Sequence, residues 1–439
     1  MLKCLSKIPN HYLVLGGNFL AFFDLYLYIH LAVIINQHFL PHHSFFMTES
    51  FSLLNIYLLA PVVSLLFGFW GDNKGRKKVV VYCSLIMAVA TFLILILPSY
   101  ESIGVFAGYF FVCLRLLQGI ALAGEPAAVA LYMIESVPIK QSPFYLSLVC
   151  AMESLGGIFA LGLGSITLYY DLPWRIPFVG AFIFVIFSLF LRQHLEETPE
   201  YRQANTTERI AKGYETKKLS EIYHLLPLKK RNLICSALVN FSYPMAFVTS
   251  YLYLGRYLTE SYGFQTTTLL LHNLGVAACE TVLRILMGYL TSRSSIMPGK
   301  LLAGRLCVAM AAACTMPYVL NTYHSAGLVF LFQVIFVSCM STDLVIGSIL
   351  KTFPVVGRFS LAAFGFLMNR IVAFFLMTVV FHVMTTTYGF LGNAVMLLLG
   401  CGLVCLGLYF YVPYEKKEEY LTDAILNKYS IVSNKYEGR

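Results

Sequence analysis

The chain contains few charged residues for its length. Asp, Glu, Lys and Arg make up 12% of its 439 residues, whereas 58% of the residues are hydrophobic. A soluble protein carries roughly twice that charged fraction, because a surface that faces water needs polar groups. The composition therefore excludes a soluble globular protein and predicts a protein whose apolar residues face lipid.

The sequence also lacks the short motifs of several enzyme and metal-binding classes. It contains no HExxH, no GxSxG, no CxxC and no His/Cys ligand spacing. All of its eleven cysteines except Cys4 lie in apolar runs, where we interpret them as small membrane-buried side chains. The net charge of +9 comes mainly from short loops. We therefore predict no enzyme activity, no metal or cofactor, and no nucleic-acid partner.

Apolar runs that could each cross a bilayer occur twelve times. A membrane span needs about 20 mostly apolar residues. The first run is too long for a cleavable signal peptide and has no small-residue cleavage site, so we expect it to be retained. Gly and Pro residues separate the runs. We place spans 1 to 12 at 13–39, 51–70, 79–98, 103–135, 143–169, 175–191, 232–256, 267–290, 301–320, 325–350, 360–385 and 388–412.

Positive charge alternates between successive loops. Loops at the cytoplasmic face of a membrane protein carry an excess of Lys and Arg. Here such residues occur in the N-terminal segment and in loops 72–78, 136–142, 192–231, 291–300 and 351–359, whereas the intervening loops have none. This pattern places both termini and the long central segment in the cytoplasm, and it requires an even number of spans.

The spans are divided equally by one long polar segment. We predict a first six-helix bundle at 1–192, a cytoplasmic linker at 193–231, a second bundle at 232–413 and a cytoplasmic tail at 414–439. The segment 68–78 after span 2 is partly repeated 220 residues later, at 288–293 after span 8. Such internal repeats are common in secondary transporters.

The loop after span 2 carries the strongest motif in the chain. It resembles the signature between spans 2 and 3 of the major facilitator superfamily, matching at Gly68, Asp72, Gly75, Arg76 and Lys77. The resemblance implies an all-α membrane fold of twelve transmembrane helices in two pseudo-symmetric six-helix bundles. It also implies that these five residues act as a gate motif that latches the halves together on the cytoplasmic side.

Further segments resemble the metabolite:proton symporters, a group that includes proline/betaine, ketoglutarate, citrate and shikimate carriers. Arg115–Gly119 with Gly124-Glu125 is similar to the fourth span of that group, and Trp174–Phe178 with Leu195–Pro199 is similar to its sixth span and exit. This resemblance implies import of a small polar metabolite by alternating access, with a proton as the coupling ion. The metabolite would be an osmolyte, an amino acid or an organic acid.

Three positions depart from the pattern of that group, and one of them is Ala123, which replaces the first glycine of the pair before Glu125. Ala21 stands three residues before Asp24, where the group usually has an acid, and Ser292 stands in the second loop where Asp72 stands in the first. These departures leave other modes open, namely a facilitative or efflux carrier of the same fold. A non-transporting membrane receptor is a weaker alternative, because the polar tail has only about 26 residues.

Polar residues within the first six spans are candidates for the site, because a charge at mid-bilayer costs at least about 2.5–3.5 kcal/mol. Asp24 in span 1 could carry a proton or form an interhelical hydrogen bond. Arg115 and Gln118 share one face of span 4; Arg115 could hold a substrate carboxylate or pair with Glu153 or Asp24. Glu125 in the same span could bind a proton or solute.

The second half contributes Asp343 in span 10 as a further candidate, with Arg370 in span 11 as its possible partner. Glu280 and Arg284 are four residues apart in span 8, which predicts a neutralising pair within the helix. Pro244 predicts a broken helix in span 7. The expected location is the bacterial cytoplasmic (inner) membrane, and the expected partners are a small-molecule solute and the lipid bilayer. We expect a monomer.

Overall fold

The computed structural model describes residues 10–39, 60–204, 230–355 and 357–436. Within these ranges the protein is built of helices, and no strand occurs. Nine helices in the described residues are long and apolar enough to cross a membrane. Spans 1, 2 and 11 are the three predicted spans that are not among these nine. The described part of span 2 has 15 residues. The described residues contain a helix for every predicted span, which agrees with the predicted fold.

Six helices form the first half of the described chain. Their positions follow the apolar runs, and the ends differ from the predicted bounds by a few residues. Pro126 lies inside span 4 without ending its helix. Spans 1 to 6 are the helices Asn10–Phe39, Ala60–Lys74, Arg76–Ile96, Val105–Ser136, Ser142–Tyr169 and Arg175–Gln193.

The second half is more often interrupted than the first. Span 7 breaks after Val239, close to the predicted Pro244, and two π-helical segments occur among the described residues, one in span 7 and one in span 11. The segments of spans 7 to 11 are Lys230–Val239, Ser242–Phe247, Val248–Tyr253 and Leu254–Tyr262; Thr266–Arg293; Pro298–Thr322; Ala326–Cys339 and Asp343–Lys351; and Arg358–Phe375 with Leu376–Phe381.

The end of the chain differs from the sequence prediction. The break expected at 386–387 lies two residues later, at Gly389, where two helices meet at a kink within His382–Tyr436. The φ of Gly389 is 54°, a left-handed conformation that glycine adopts without steric penalty. The second helix, however, extends past the predicted end of span 12 at 412. The residues after Pro413 include four Glu and four Lys, which are good helix formers, and the helix continues through Tyr436. The predicted boundaries of the two bundles, the linker and the tail stay predictions.

Three apolar cores show where the two halves meet. One contains only residues of the second half, such as Met316 and Phe336. Another contains only residues of the first half, such as Phe39 and Trp174. The third joins both halves, because Val79 and Ile134 of the first half pack with residues of spans 10 and 11. We call the end of the molecule that holds residues 71–77, 132–136, 192–204, 351–355 and 357–360 the signature end. The halves share a core at this end.

Spans from the two halves pack in matching pairs. Span 2 packs against span 11, and span 8 packs against span 5. Gly68 of span 2 lies where an added Cβ would come within 2.9 Å of the Ser360 Cα, and Gly288 of span 8 lies where it would come within 2.5 Å of the Ser147 Oγ. A pseudo-twofold axis between the halves accounts for both contacts, because it exchanges span 2 with span 8 and span 5 with span 11.

Candidate functional site

The structure brings three of the predicted site residues together inside the first half. Asp24 is 1% exposed and accepts hydrogen bonds from the Thr91 hydroxyl at 3.2 Å and the Gln118 amide at 3.0 Å. Arg115 donates to the Gln118 amide oxygen at 2.5 Å and lies 3.3 Å from the centroid of the Tyr28 ring. Gln118 therefore connects a buried carboxylate with a guanidinium, and Asp24 Oδ1 has no hydrogen-bond partner among the described residues.

Glu125 belongs to a separate buried pair in the first half. Arg192 of span 6 donates to the Glu125 carboxylate at 2.5 Å and to the Ser84 hydroxyl at 2.5 Å. Both side chains of the ion pair are fully buried. Removing one partner of such a pair is destabilising by about 3–5 kcal/mol, because the other charge is left uncompensated. Glu125 thus has a structural partner, and its predicted role with proton or solute remains a prediction.

Asp343 lies at the junction of the two halves. Its carboxylate accepts a hydrogen bond from the Ser147 hydroxyl of span 5 at 2.9 Å, and it lies 3.8 Å from the Arg284 guanidinium of span 8. Arg284 also donates to Glu280 at 2.5 Å, so the neutralising pair predicted within span 8 is present. Arg370 lies in the helix Arg358–Phe375, and its side chain is outside the described part of the structure.

Tyrosines and a further acid surround this junction. The Tyr243 and Tyr251 hydroxyls of span 7 donate to Glu280 at 3.0 and 3.4 Å. Glu153 of span 5 accepts a hydrogen bond from the Asn18 amide at 3.3 Å, and span 5 packs against span 8, which carries Arg284. Tyr26 of span 1 packs against span 5, where a Cβ added to Gly157 would come within 3.0 Å of its ring. We call Tyr26, Glu153, Tyr243, Tyr251, Glu280, Arg284 and Asp343 the junction cluster. It draws on spans 1, 5, 7, 8 and 10.

Asp72 of the gate motif binds the start of span 11. Its carboxylate accepts hydrogen bonds from the backbone N–H groups of Phe359 at 3.1 Å and Ser360 at 2.9 Å, and from the Ser360 hydroxyl at 2.8 Å. The first N–H groups of a helix have no partner within it, and negative charge is favourable at that end. Asp72 therefore connects the first half to the second at the signature end.

Arg76 extends this connection. It forms a two-pronged pair with Glu135 at 3.1 Å and donates to the Val355 carbonyl at 2.8 Å. Arg358 of the second half also binds Glu135, at 3.1 Å, and the Thr198 hydroxyl donates to Glu135 at 2.7 Å. Because Glu135 lies between two guanidinium groups from opposite halves, its charge is shared by both. We call Asp72, Arg76, Glu135, Glu200, Lys351 and Arg358 the latch.

Two acids after span 6 complete the arrangement. Glu197 accepts hydrogen bonds from the backbone N–H groups of Arg76 and Lys77 at 3.0 and 3.3 Å, and burial raises the pKa of its carboxyl. Glu200 pairs with Lys351 and Arg358 at 2.7 Å each. Burial alone would raise the pKa of Glu200, but these two cations together hold it below its ordinary value. Glu200 is therefore ionised when the latch is closed.

The five gate residues lie on the helices Ala60–Lys74 and Arg76–Ile96 and at the turn between them, and their role as a gate stays a prediction. Gly75 has a φ of 105°, and an added Cβ there would lie 1.9 Å from the Glu197 Oε2, so the turn requires glycine. Lys77 contributes its backbone N–H to Glu197. A cleft of about 610 Å³ opens nearby, but its lining residues all belong to the first half and the segment that follows it: Asn10, His11, Tyr132, Ser136, Glu196, Glu197, Pro199, Arg202 and Gln203.

Sequence reasoning named neither Arg192 nor Glu135, Glu153 and Glu200 as site residues. Arg192 and Glu135 lie at predicted span ends, where a charge is ordinary. Glu153 lies well inside the apolar run 143–169. Because a charge within the bilayer has a high free energy, its position alone could have identified it as a candidate. Among the described residues, no group of three His, Cys, Asp or Glu side chains could hold a metal ion.

Comparisons with known proteins agree with this architecture. The family model of the Major Facilitator Superfamily matches residues 14–355. The Proline/betaine transporter of Escherichia coli (strain K12) is 27% identical over 380 residues, which cover 81% of this chain and 74% of that protein. The Citrate-proton symporter of Klebsiella pneumoniae is 32% identical over 198 residues, covering 43% of this chain and 45% of that protein. This chain therefore matches about half the length of the second relative.

A solved structure gives the same result for the fold. The crystal structure of the transporter FucP in the outward conformation superposes with a TM-score of 0.72 and 16% sequence identity, covering 92% of this chain and 99% of that chain. The relatives and the structural neighbour are transporters, which confirms the prediction that the chain is not an enzyme. With a family match over more than half of its length, this chain belongs to the Major Facilitator Superfamily of membrane transporters.

Proposed function

We propose that this protein is a proton-coupled secondary transporter that imports a small polar metabolite by alternating access. The metabolite is an osmolyte, an amino acid or an organic acid. The protein works as a monomer in the bacterial cytoplasmic (inner) membrane, and both of its termini lie in the cytoplasm. The similarity to a Proline/betaine transporter and a Citrate-proton symporter supports this range of solutes.

The latch is the observation that carries this proposal. It ties the two halves together at one end through charged groups that can separate, while the junction cluster places polar groups between the halves. The Lys and Arg pattern of the loops supports a cytoplasmic position for the signature end. On that orientation the conformation described here is closed toward the cytoplasm, and opening of the latch would expose the junction to the inside.

Asp24 is the proposed proton carrier. Its carboxylate is buried, its hydrogen bonds with the described residues all go to Oδ2, and it is connected to Arg115 through the Gln118 amide. Protonation would remove the negative charge that Arg115 responds to, so the pair can convert proton binding into a rearrangement between spans 1 and 4. A positioned carboxyl group of this kind is a suitable proton donor and acceptor.

The test is solute counterflow in proteoliposomes with a panel of betaines, amino acids and dicarboxylates, followed by uptake driven by a pH gradient. For Asp24→Asn we expect counterflow to persist, because exchange of solute does not require net proton movement, whereas gradient-driven accumulation is lost. Asp171→Asn is the matched control, since Asp171 is an exposed acid in the loop after span 5.

Two results would contradict the proposal. If wild-type accumulation were unaffected by a protonophore, the transport would not be coupled to protons. If Asp24→Asn accumulated solute as well as the wild type, the proton would have to bind elsewhere.

A facilitative or efflux carrier is the alternative, and Ala21 is the observation that favours it. Ala21 is buried in span 1, three residues from Asp24, at the position where the resembled group has an acid. Span 1 therefore has one carboxyl group fewer than in the resembled group, and Asp24 would have to couple transport to protons without a second acid in this span. Downhill flux that responds to neither a pH gradient nor a protonophore would identify the alternative.

A further inference from the structure

The junction cluster contains one guanidinium that is only partly used. Arg284 is 6% exposed, and its strongest contact is the Glu280 carboxylate at 2.5 Å. Its Nε has no hydrogen-bond acceptor among the described residues, and the Asp343 carboxylate is 3.8 Å away, beyond hydrogen-bond distance. A buried guanidinium favours a planar, two-pronged acceptor. The carboxylate of a bound solute could accept the hydrogen bond from the Arg284 Nε–H.

The two acids beside Arg284 are not equivalent. Glu280 accepts hydrogen bonds from Arg284, Tyr243 and Tyr251. Asp343 accepts one from Ser147, and its Oδ1 has no donor among the described residues. Glu280 is therefore satisfied as the fixed partner of Arg284, whereas Asp343 can give up its long contact when another carboxylate arrives.

The formal charge around Arg284 is negative. Glu153, Glu280 and Asp343 supply three carboxylates against two guanidiniums, because the buried Arg305, which donates to the Ser341 hydroxyl, also interacts with the charge of Asp343. A solute with two or three carboxylates would add to this excess and would be repelled. A solute that carries one carboxylate and one cationic group would meet the guanidinium with the first and the surplus acid with the second.

The first half offers a place for the cationic group. Glu153 and Tyr26 are half-buried, and the Tyr26 ring packs against span 5 one turn after Glu153, where a Cβ added to Gly157 would come within 3.0 Å of it. Glu153 has no cationic hydrogen-bond partner in the described part of the chain; its bonded neighbour is the neutral amide of Asn18. Carboxylates and tyrosine ring faces are both favourable surroundings for an ammonium group.

We propose that the junction cluster binds a zwitterion of the amino acid or betaine type, with its carboxylate on Arg284 and its cationic group between Glu153 and Tyr26. This inference rests on the proposed function and narrows it, because it excludes organic acids as the preferred solutes. It also assigns the two ends of the solute to opposite halves of the protein. Arg284 and Glu153 then determine specificity, rather than Arg115, which stacks on Tyr28 within the first half.

The experiment is counterflow in proteoliposomes with four probes of defined charge: glycine betaine and proline as zwitterions, choline as a cation and succinate as a dianion. We expect exchange of at least one zwitterion to exceed that of choline and succinate by tenfold or more. Arg284→Lys keeps the charge of Glu280's partner but lacks the Nε–H. It should raise the KM for that zwitterion about tenfold with a smaller change in maximal rate.

Glu153→Gln tests the assigned role of Glu153 through substrate preference, a quantity that a purely structural role would not change. It removes the surplus acid while keeping shape, so the ratio of succinate to zwitterion exchange should rise about tenfold. The matched controls are Arg293→Lys, which alters the exposed arginine at the end of the same span, and Glu101→Gln, which alters an exposed acid. Neither control should change the ratio.

The outcomes separate this inference from the proposed function. If succinate or another organic acid is accumulated with protons while neither zwitterion exchanges, the inference is overturned and the proposed function stands. If a zwitterion exchanges but Arg284→Lys and Glu153→Gln behave like their controls, the assigned site is wrong. If the folded protein exchanges no solute in this panel or in the wider one, both proposals fail.

Discussion

The loops after spans 2 and 8 occupy equivalent places in the two halves but make unequal contacts. In the first, Asp72 accepts three hydrogen bonds from Phe359 and Ser360 at the start of span 11. In the second, Ser292 accepts a single hydrogen bond from the backbone N–H of Phe144, near the start of span 5, at 3.1 Å. Both loops therefore meet the first turn of a helix in the opposite half, one with a charge and one with a neutral hydroxyl.

The arginine of the first loop is also more buried and more strongly paired than the arginine of the second. Arg76 is fully buried between Asp72 and Glu135, whereas Arg293 is exposed and lies 5.4 Å from the centroid of the Tyr289 ring. A hydrogen bond to a charged group contributes about 1.5–3 kcal/mol and one between neutral groups about 0.5–1.5 kcal/mol. Closure at the signature end thus depends mainly on the first loop, although the close packing of glycine is retained in both.

Loss of Glu135 should weaken the first loop most. Glu135→Gln removes the charge that Arg76 and Arg358 share, and a buried ion pair that loses one partner is destabilised by about 3–5 kcal/mol. We expect a lower melting temperature in detergent and faster hydrogen exchange over residues 351–358. Glu101→Gln is the control, and an unchanged melting temperature in Glu135→Gln would mean that the latch does not stabilise this conformation.

Asp72→Ser should make the first loop resemble the second. The variant replaces charged hydrogen bonds with a neutral one, which corresponds to a loss of about 1.5–3 kcal/mol. The backbone amides of Phe359 and Ser360 should exchange with deuterium faster, because Asp72 is their acceptor. Asp171→Ser serves as the control. If the two amides kept their wild-type exchange rates, Asp72 would not be the group that protects them.

Ser292→Asp is the converse change. A carboxylate near the start of span 5 should stabilise this conformation by about 0.3–1 kcal/mol. We expect slower exchange of the Phe144 amide and a lower turnover rate in counterflow, since the conformation closed at the signature end would persist longer. Ser292→Asn has a similar size without the charge and should leave turnover near the wild-type value. Faster turnover in Ser292→Asp would contradict the equivalence of the two loops.

Glu200→Gln should have the smallest effect, because Glu200 is partly exposed and its pairs with Lys351 and Arg358 are screened by salt. The latch holds the pKa of Glu200 below its ordinary value of 4.5. Its stabilising contribution is therefore present above about pH 4.5 and is lost as the pH falls through the lowered pKa.

The melting temperatures of wild type and Glu200→Gln should accordingly differ by a constant amount at neutral and mildly acidic pH, and should converge below about pH 4.5. Glu197→Gln is the comparison, because the raised pKa of Glu197 gives the opposite sign: its contribution becomes more favourable as the pH falls. A difference for Glu200→Gln that vanished near pH 7 would show that its carboxyl is protonated in the folded protein.

The sequence predicted the fold well because a bilayer imposes a simple pattern. Every predicted span corresponds to a helix in the described residues, and the motif at 68–77 led directly to the contact between the halves. Local spacing also placed Gln118 beside Arg115 and Glu280 beside Arg284, since residues three or four apart share a helix face.

The remaining contacts depend on packing between distant segments. Glu125 and Arg192 are 67 residues apart, and Ser147 and Asp343 are 196 residues apart, so no local pattern pairs them. The break in span 10 between Cys339 and Asp343 carries no proline or glycine. It follows from tertiary contacts, such as the hydrogen bond from the Ser242 hydroxyl to the Met340 carbonyl at 2.6 Å.

The π-helical segment Val248–Tyr253 sets the phase of the helix that follows it. A π turn contains one residue more than an α turn, and each residue added to a helix rotates everything after it by about 100°. Leu254 and Leu258 are fully buried in the core of the second half with this segment in place. Deleting one residue there would turn both away from the core. The orientation of this helix is thus encoded in the number of residues that precede it, which makes it tolerant of many substitutions and intolerant of a single insertion or deletion.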